Sequence, residues 1–246
     1  SEKSTTSRTR SNKRRIVLLT VAAVAVLVVV ASVLLITGRR GADDRYPSFA
    51  GANVYQQDIR DAPAHPRSEA MVESLERQVA EWYGGVAAFN SDRYNVSLVQ
   101  AEEDTPKRDI RFHDCQKRGD VPEGLYDGDS HFSGVPVPEA AVPADGTDGQ
   151  LTIWSPDDDA LWEFWQMRKA DDGVWEACWG GRLDDVSSSE GVFEAPYGTS
   201  ASGLVASASV VSLRDLKRGE IDHAVAIAIP EPAARVFSYP ANRTDG

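Results

Sequence analysis

The stretch QLTIWSPDDDALWEFWQMRKADDGVWEACW, residues 150–179, decides the fold class. Gln150–Trp154, Ala160–Arg168 and Val174–Trp179 are aliphatic and aromatic runs, the residue types that suit a pleated, half-buried surface. Between them lie Ser155-Pro156-Asp157-Asp158-Asp159 and Ala170-Asp171-Asp172-Gly173, both of which have turn chemistry. The pattern predicts a three-stranded antiparallel meander. Downstream, Ser212 and Asp215 have capping-box spacing, Lys217 and Arg218 suit a helix C-terminus, and Gly219 ends a helix of about two turns. Next, Ile221, His223, Val225, Ile227 and Ile229 alternate with Asp222, Ala224, Ala226 and Ala228, which predicts a central strand with an element packed on its alanine face.

Upstream, Met71, Val72, Leu75, Val79 and Trp82 recur at three- and four-residue spacing between Ser68 and Gly84-Gly85, the signature of an amphipathic helix. Val86–Phe89 and Tyr94–Gln100 read as short strands, and Pro122–Gly149 has no helical pattern. With no repeat and no room for regular βαβ connections, about 180 residues suffice for one core. The expectation is a mainly β, antiparallel sandwich or jelly-roll-like ectodomain over residues 68–246 with two short helices.

The N-terminal part has a different character. Ile16–Thr37, IVLLTVAAVAVLVVVASVLLIT, carries no charge over 22 residues, and at about 1.5 Å per residue it covers the roughly 30 Å of a bilayer core. In lipid only a helix satisfies such a backbone. The run is longer than the core of a cleaved signal, and Thr37-Gly38-Arg39-Arg40 is a poor cleavage site, which favours an uncleaved anchor. Lys3, Arg8, Arg10, Lys13, Arg14 and Arg15 precede it, so the positive-inside rule places residues 1–15 in the cytoplasm and the C-terminal domain outside the cell. Residues 38–67, rich in Pro, Ala, Asp and Arg, read as a stalk of low order. The lipid bilayer, contacted through residues 16–37, is thus one expected partner.

The chain has 246 residues and a formal charge of −12. Eight of its 26 basic residues but one of its 38 acids precede residue 41, which leaves 18 basic against 37 acidic residues beyond it, −19. That balance argues against nucleic-acid binding, since releasing counterions from phosphates requires a basic field. Two cysteines cannot build a four-cysteine zinc site. No Gly-rich phosphate loop, G-x-S-x-G elbow or HExxH occurs, so nothing calls for a cofactor or a metal.

Tyr83-Gly84-Gly85-Val86-Ala87-Ala88-Phe89-Asn90 with Tyr94, Val135-Pro136-Val137-Pro138, Thr147-Asp148-Gly149, Leu161-Trp162-Glu163-Phe164-Trp165, Gly180-Gly181, Ala201-Ser202-Gly203-Leu204, Gly219-Glu220-Ile221-Asp222-His223-Ala224 and Tyr239-Pro240-Ala241-Asn242-Arg243-Thr244-Asp245-Gly246 occur in this order. Over residues 68–246 the set resembles an uncharacterised family of secreted or membrane-anchored proteins of soil bacteria. The resemblance implies extracellular work on cell-wall or environmental polymers, with no assigned activity. Family members continue past the last of these segments, so it also implies a C-terminally shortened chain.

Glu163 is the first catalytic candidate: on its strand a carboxylate alternates with large apolar side chains, and desolvation would raise its pKa toward the general-acid range. The alternative is a structural carboxylate that reaches solvent or pairs with Arg168 or Arg182. Asp148, in Asp145-Gly146-Thr147-Asp148-Gly149, would be the second carboxylate of a glycoside hydrolase or lyase, or simply part of a turn. His223 would be its base, a neutral core histidine, or a metal ligand together with His113 and His131. Trp162 and Trp165, with Asn90 and Tyr94, are candidates for stacking on and binding a sugar, and Trp154, Trp175 and Trp179 extend the aromatic set. Cys115 and Cys178 are chemically able to pair outside the cell. Three readings remain: a surface-tethered glycan-binding module, a carbohydrate-active enzyme using Glu163, Asp148 and His223, and a structural surface protein or non-functional fragment.

Overall fold

A computed structural model describes residues 46–51, 53–91, 93–117, 125 and 132–244. The expected membrane helix 16–37 and cytoplasmic tail 1–15 lie outside these residues, and no helix among the described residues is long and apolar enough to cross a membrane.

The described residues are mainly β, with several sheets and two α-helices, α1 (Ser68–Tyr83) and α2 (Leu213–Arg218). At the centre is a four-stranded sheet of β1 (Ser97–Gln100), β5 (Leu151–Ser155), β6 (Ala160–Trp165) and β9 (Trp179–Leu183), in that order. The hairpin β5–β6 forms as the sequence predicts, with Thr152 opposite Glu163 and Ile153 opposite Trp162. Alternation then sends side chains to two cores. Leu151, Ile153, Trp162 and Phe164 join one cluster of buried residues, while Trp154 and Leu161 join another with Tyr55, Val186, Phe193 and Val205. A sheet covered on both faces explains why β5 is buried at every position and β6 at all but the last.

Two features of the meander differ from expectation. The sheet is mixed, because β1 pairs parallel with β5. The third strand is β9, not Val174–Trp179. Trp175–Ala177, β8, belongs instead to a small sheet with β7 (Arg168–Lys169) and β3 (Arg111–Phe112), and β2 (Lys107–Arg108) pairs with β4 (Val135–Pro136). The chain leaves β6 at Gln166, whose φ is +53°, and re-enters the large sheet only at Trp179. Gly181 is needed there: a Cβ on it would stand 2.6 Å from the backbone nitrogen of Gly198.

Helix α1 ends at Gly84 as predicted (φ +64°), but its N-cap is Arg67 and only Gln78 is buried. Met71, Val72 and Trp82 stand about half exposed, and Val86–Phe89 forms no strand. Residues 221–229, expected as a central strand, join no sheet, and all but His223 are exposed. The alternation is present, but no strand among the described residues flanks the segment. Residues 46–67, at the C-terminal end of the expected stalk, belong to the same unit as the β strands. Tyr55 is buried, with its hydroxyl 2.6 Å from Gly191 O and 3.1 Å from Val205 O. Its ring lies so close to Gly191 that a Cβ there would fall 2.4 Å away.

Cys115 and Cys178 form a disulfide, Cα–Cα 5.6 Å, across 63 residues of sequence. It ties the segment after β3 to the residue between β8 and β9. Closing a loop of that length restricts the unfolded chain by about 4 kcal/mol in the chain-entropy description. Urea unfolding with and without reductant is expected to differ by about that amount, with Cys115→Ala/Cys178→Ala matching the reduced protein.

Candidate functional site

Loop 145–149, in the segment that leads from β4 to β5, collects a group of side chains that are not fully buried. Tyr94 takes a left-handed backbone conformation, φ +56°, and its N–H donates to Asp145 O at 2.8 Å. The Tyr94 ring lies on Gly146, where a Cβ would fall 2.8 Å from it. Asn90 donates its side-chain amide to Tyr94 O at 3.4 Å, and Arg93 stands 5.5 Å from the ring centroid. Two residues along the loop, Asp148 Oδ1 accepts the indole N–H of Trp165 at 3.2 Å. Its carbonyl accepts the N–H of Gln166 at 2.7 Å.

Trp165 closes β6 opposite Trp179, the first residue of β9, so the two indoles share a face of the sheet as cross-strand partners. Trp179 donates to Pro196 O at 3.3 Å. Both indole N–H groups are therefore satisfied internally, while neither ring is fully buried. The loop thus assembles Asn90, Tyr94, Asp148 and Trp165 from the expected set and adds Trp179, one of the aromatic residues noted in sequence.

The other candidates lie elsewhere. Trp162 is buried beneath Arg182, 5.4 Å from its ring centroid. Glu163 is 1% exposed. Its Oε2 accepts the Thr199 hydroxyl at 3.0 Å and the Ala206 N–H at 3.2 Å, and its Oε1 accepts the Ser207 N–H at 2.9 Å. It supplies the cap that Val205 does not give to the 3-10 turn Ala206–Ser209. Neither arginine considered as its partner reaches it: Arg168 joins Arg111 on Glu176, and Arg182 pairs with Asp184. Burial pushes the Glu163 pKa up, against the pull of the Ser207 and Ala206 N–H groups and the Thr199 hydroxyl.

His223 sits 3.3 Å from Asp215 Oδ2 and 3.0 Å from Ala224 O. That carboxylate also accepts the N–H (2.8 Å) and hydroxyl (2.6 Å) of Ser212, completing the capping box of α2. The Ser212 hydroxyl is bound to the acid rather than to the imidazole, so the trio caps a helix and does not activate a nucleophile. Among the described residues no hydrogen bond or ion pair joins any two of Glu163, Asp148 and His223, and no three His, Cys, Asp or Glu side chains are placed to hold a metal ion. His131 lies outside the described residues.

Desolvation pushes the Asp215 carboxyl up, but Ser212 and His223 outweigh it and hold the pKa at about 2, below the ordinary 3.8. The folded value is the lower one, so this stabilisation is complete above about pH 4 and is lost as pH falls toward 2. Asp215→Asn is expected to cost about 2 kcal/mol at neutral pH and to flatten that acid limb in thermal melts. Glu163 has the opposite sign: the native state holds its proton more tightly, so burial erodes stability as pH rises above 4.5. In Glu163→Gln one amide NH₂ must face a backbone N–H, and calorimetry is expected to show a loss of about 1–3 kcal/mol. Comparison with known proteins supplies no precedent for this arrangement, since no protein family, no curated protein and no solved structure matches the chain.

Proposed function

We propose that the domain is a non-catalytic glycan-binding module, held on the outer face of a cell membrane by the apolar run 16–37, with Tyr94, Trp165 and Trp179 as its stacking surface. The observation that carries this reading is the cross-strand pair Trp165 and Trp179 beside the Asp148 carboxylate. Sugar rings present C–H faces that suit aromatic faces, and their hydroxyls suit a fixed acceptor. Asp148 is oriented by the Trp165 indole, which makes the polar and apolar parts of the surface one rigid unit. Both faces of the large sheet being covered supports a sandwich-like arrangement in which the strand ends and loops, not a cleft, meet the ligand.

Binding is favoured over hydrolysis because the carboxylate expected as general acid is spent on architecture. A glycosidase requires two carboxyl groups flanking one bond, and Glu163 has both oxygens occupied by donors from residues 199–207. The acidic balance of the domain suits neutral glycans better than uronate polymers.

Retention of the chain on a panel of insoluble cell-wall and soil polysaccharides, scored together with released sugar, tests the proposal. Retention without release is expected. Trp165→Ala and Tyr94→Ala should each weaken it about tenfold, the equivalent of about 1.4 kcal/mol, while His223→Ala leaves it unchanged. Absence of retention on every polymer, or release of product, sinks the reading.

A further inference from the structure

The carbonyl of Pro196, which accepts the Trp179 indole N–H, has a second donor. Arg243 Nη1 binds the same oxygen, and Nη2 of that guanidinium reaches Gly198 O at 2.9 Å and Ser200 O at 2.5 Å. A carbonyl oxygen has two lone pairs and a guanidinium five N–H donors in one fixed plane, so the shared acceptor and the row of alternate carbonyls are both chemically natural.

This grip falls on the loop residues that touch the start of β9. Pro196 holds the side chain of Trp179, the first residue of β9, and Gly198 donates its N–H to the carbonyl of Gly180, the second, at 3.1 Å. The two contacts are supported differently. Gly198 is buried against Phe193, and the Thr199 hydroxyl beside it is tied to Glu163 at 3.0 Å. Glu194, Ala195 and Pro196 are exposed, so packing does not fix the carbonyl that Trp179 uses. The charge-assisted hydrogen bond from Arg243 does, and bonds of that kind are the strong ones.

Arg243 is itself delivered by a locked neighbour. The Asn242 N–H donates to Ser202 O at 3.0 Å and its side-chain amide to Phe193 O at 2.7 Å, so residue 242 is bound to both flanks of the loop. A Cβ on Gly203 would fall 2.1 Å from Asn242 Oδ1, which leaves no room for a side chain there.

We infer that Arg243 is a positioning residue of the aromatic surface: it sets the Pro196 carbonyl and, through that carbonyl, the plane of the Trp179 indole. The functional part of this inference rests on the reading of Trp165 and Trp179 as a stacking pair. A flat ring presents its face to a ligand only while its plane is held, and each indole of the pair has its own anchor. Asp148 holds Trp165 and Pro196 holds Trp179. Arg243 acts on the second anchor alone.

Nuclear magnetic resonance of the full chain with ¹⁵N-labelled indoles, combined with polymer retention, tests this. In Arg243→Ala the Trp179 Nε1–H resonance is expected to move and its exchange with solvent to quicken about tenfold, while the buried Trp154 and Trp162 keep theirs. Retention on the polymer that the wild type binds should weaken about tenfold. In a Trp179→Phe background, which has no indole N–H, the same substitution should change retention less than about twofold. A residue that only stabilised the domain would instead weaken both backgrounds alike. Arg243→Lys keeps the charge without the planar fork; it should also move the Trp179 resonance, and it carries the test if Arg243→Ala does not fold. An unmoved Trp179 resonance in the folded variants, or equal loss in both backgrounds, overturns the inference and leaves the glycan-binding reading standing. Absence of wild-type retention on every polymer sinks that reading and the functional part of the inference with it, while the indole resonance still decides whether Arg243 sets Trp179.

Discussion

The Glu163 carboxylate, buried in the middle of the central strand, is the constraint on which the rest of the domain depends. A buried carboxyl group is costly unless its oxygens find well-aimed partners. Here those partners are the Thr199 hydroxyl and the N–H groups of Ala206 and Ser207. The sheet therefore fixes where the irregular chain 199–207 must run. Tyr55 reinforces the same junction from the other end of the sequence, its hydroxyl against the carbonyls of Gly191 and Val205. Asn242 and Arg243 close it from the C-terminal side: Asn242 donates to Phe193 O at 2.7 Å, and the Arg243 guanidinium takes the carbonyls of Pro196, Gly198 and Ser200. Three distant parts of the chain thus saturate polar groups in loops that have no regular ladder of their own.

What could be read from the sequence was what is local. The capping box at Ser212 and Asp215, the hairpin β5–β6 and the glycine stop of α1 all follow from residues within a few positions of one another. The sequence reading does not reach β9 because Gly180 and Gly181 carry no apolar signal; their value lies in what approaches them, the Glu163 carbonyl and the rings of Phe132 and Phe164 at Gly180, and the backbone of Gly198 and the ring of Phe193 at Gly181. The alternation in β6 correctly set Glu163 among apolar neighbours. Its partners lie 36 to 44 residues away, and nothing in their composition announces them. The alternation at 221–229 misled for the reverse reason, since period two reports which side chains would share a face and says nothing about whether a neighbour is there to cover it. Asn90, Tyr94, Asp148 and Trp165 were each visible as candidates. Their meeting was not, because it depends on a left-handed Tyr94 and on the glycines of loop 145–149.

The placement of the candidate binding surface follows from the same architecture. Positions in the middle of β5 and β6 are covered on both faces, so only the strand ends and the loops beside them keep aromatic rings partly open. Trp165 ends β6 and Trp179 begins β9, which is why this cross-strand pair is only partly buried while Trp154 and Trp162 are buried. A ligand-binding face at a strand end costs the core little, and it inherits rigidity from the ladder behind it.

The two carboxylates first considered together have thus been assigned opposite tasks by burial alone. Glu163 gives up solvent and both of its oxygens to hold loops in place, so any gain in acidity control is offset by the loss of access. Asp148 stays half-exposed, spends one oxygen on orienting Trp165, and keeps the other for whatever meets the surface. A glycosidic cleavage that used Glu163 as its acid would require it to release the Ala206 and Ser207 N–H groups and open the junction they form. Binding requires no such rearrangement, and that asymmetry is the physical ground for the proposal of a domain that holds a polymer without using Glu163 to cut it.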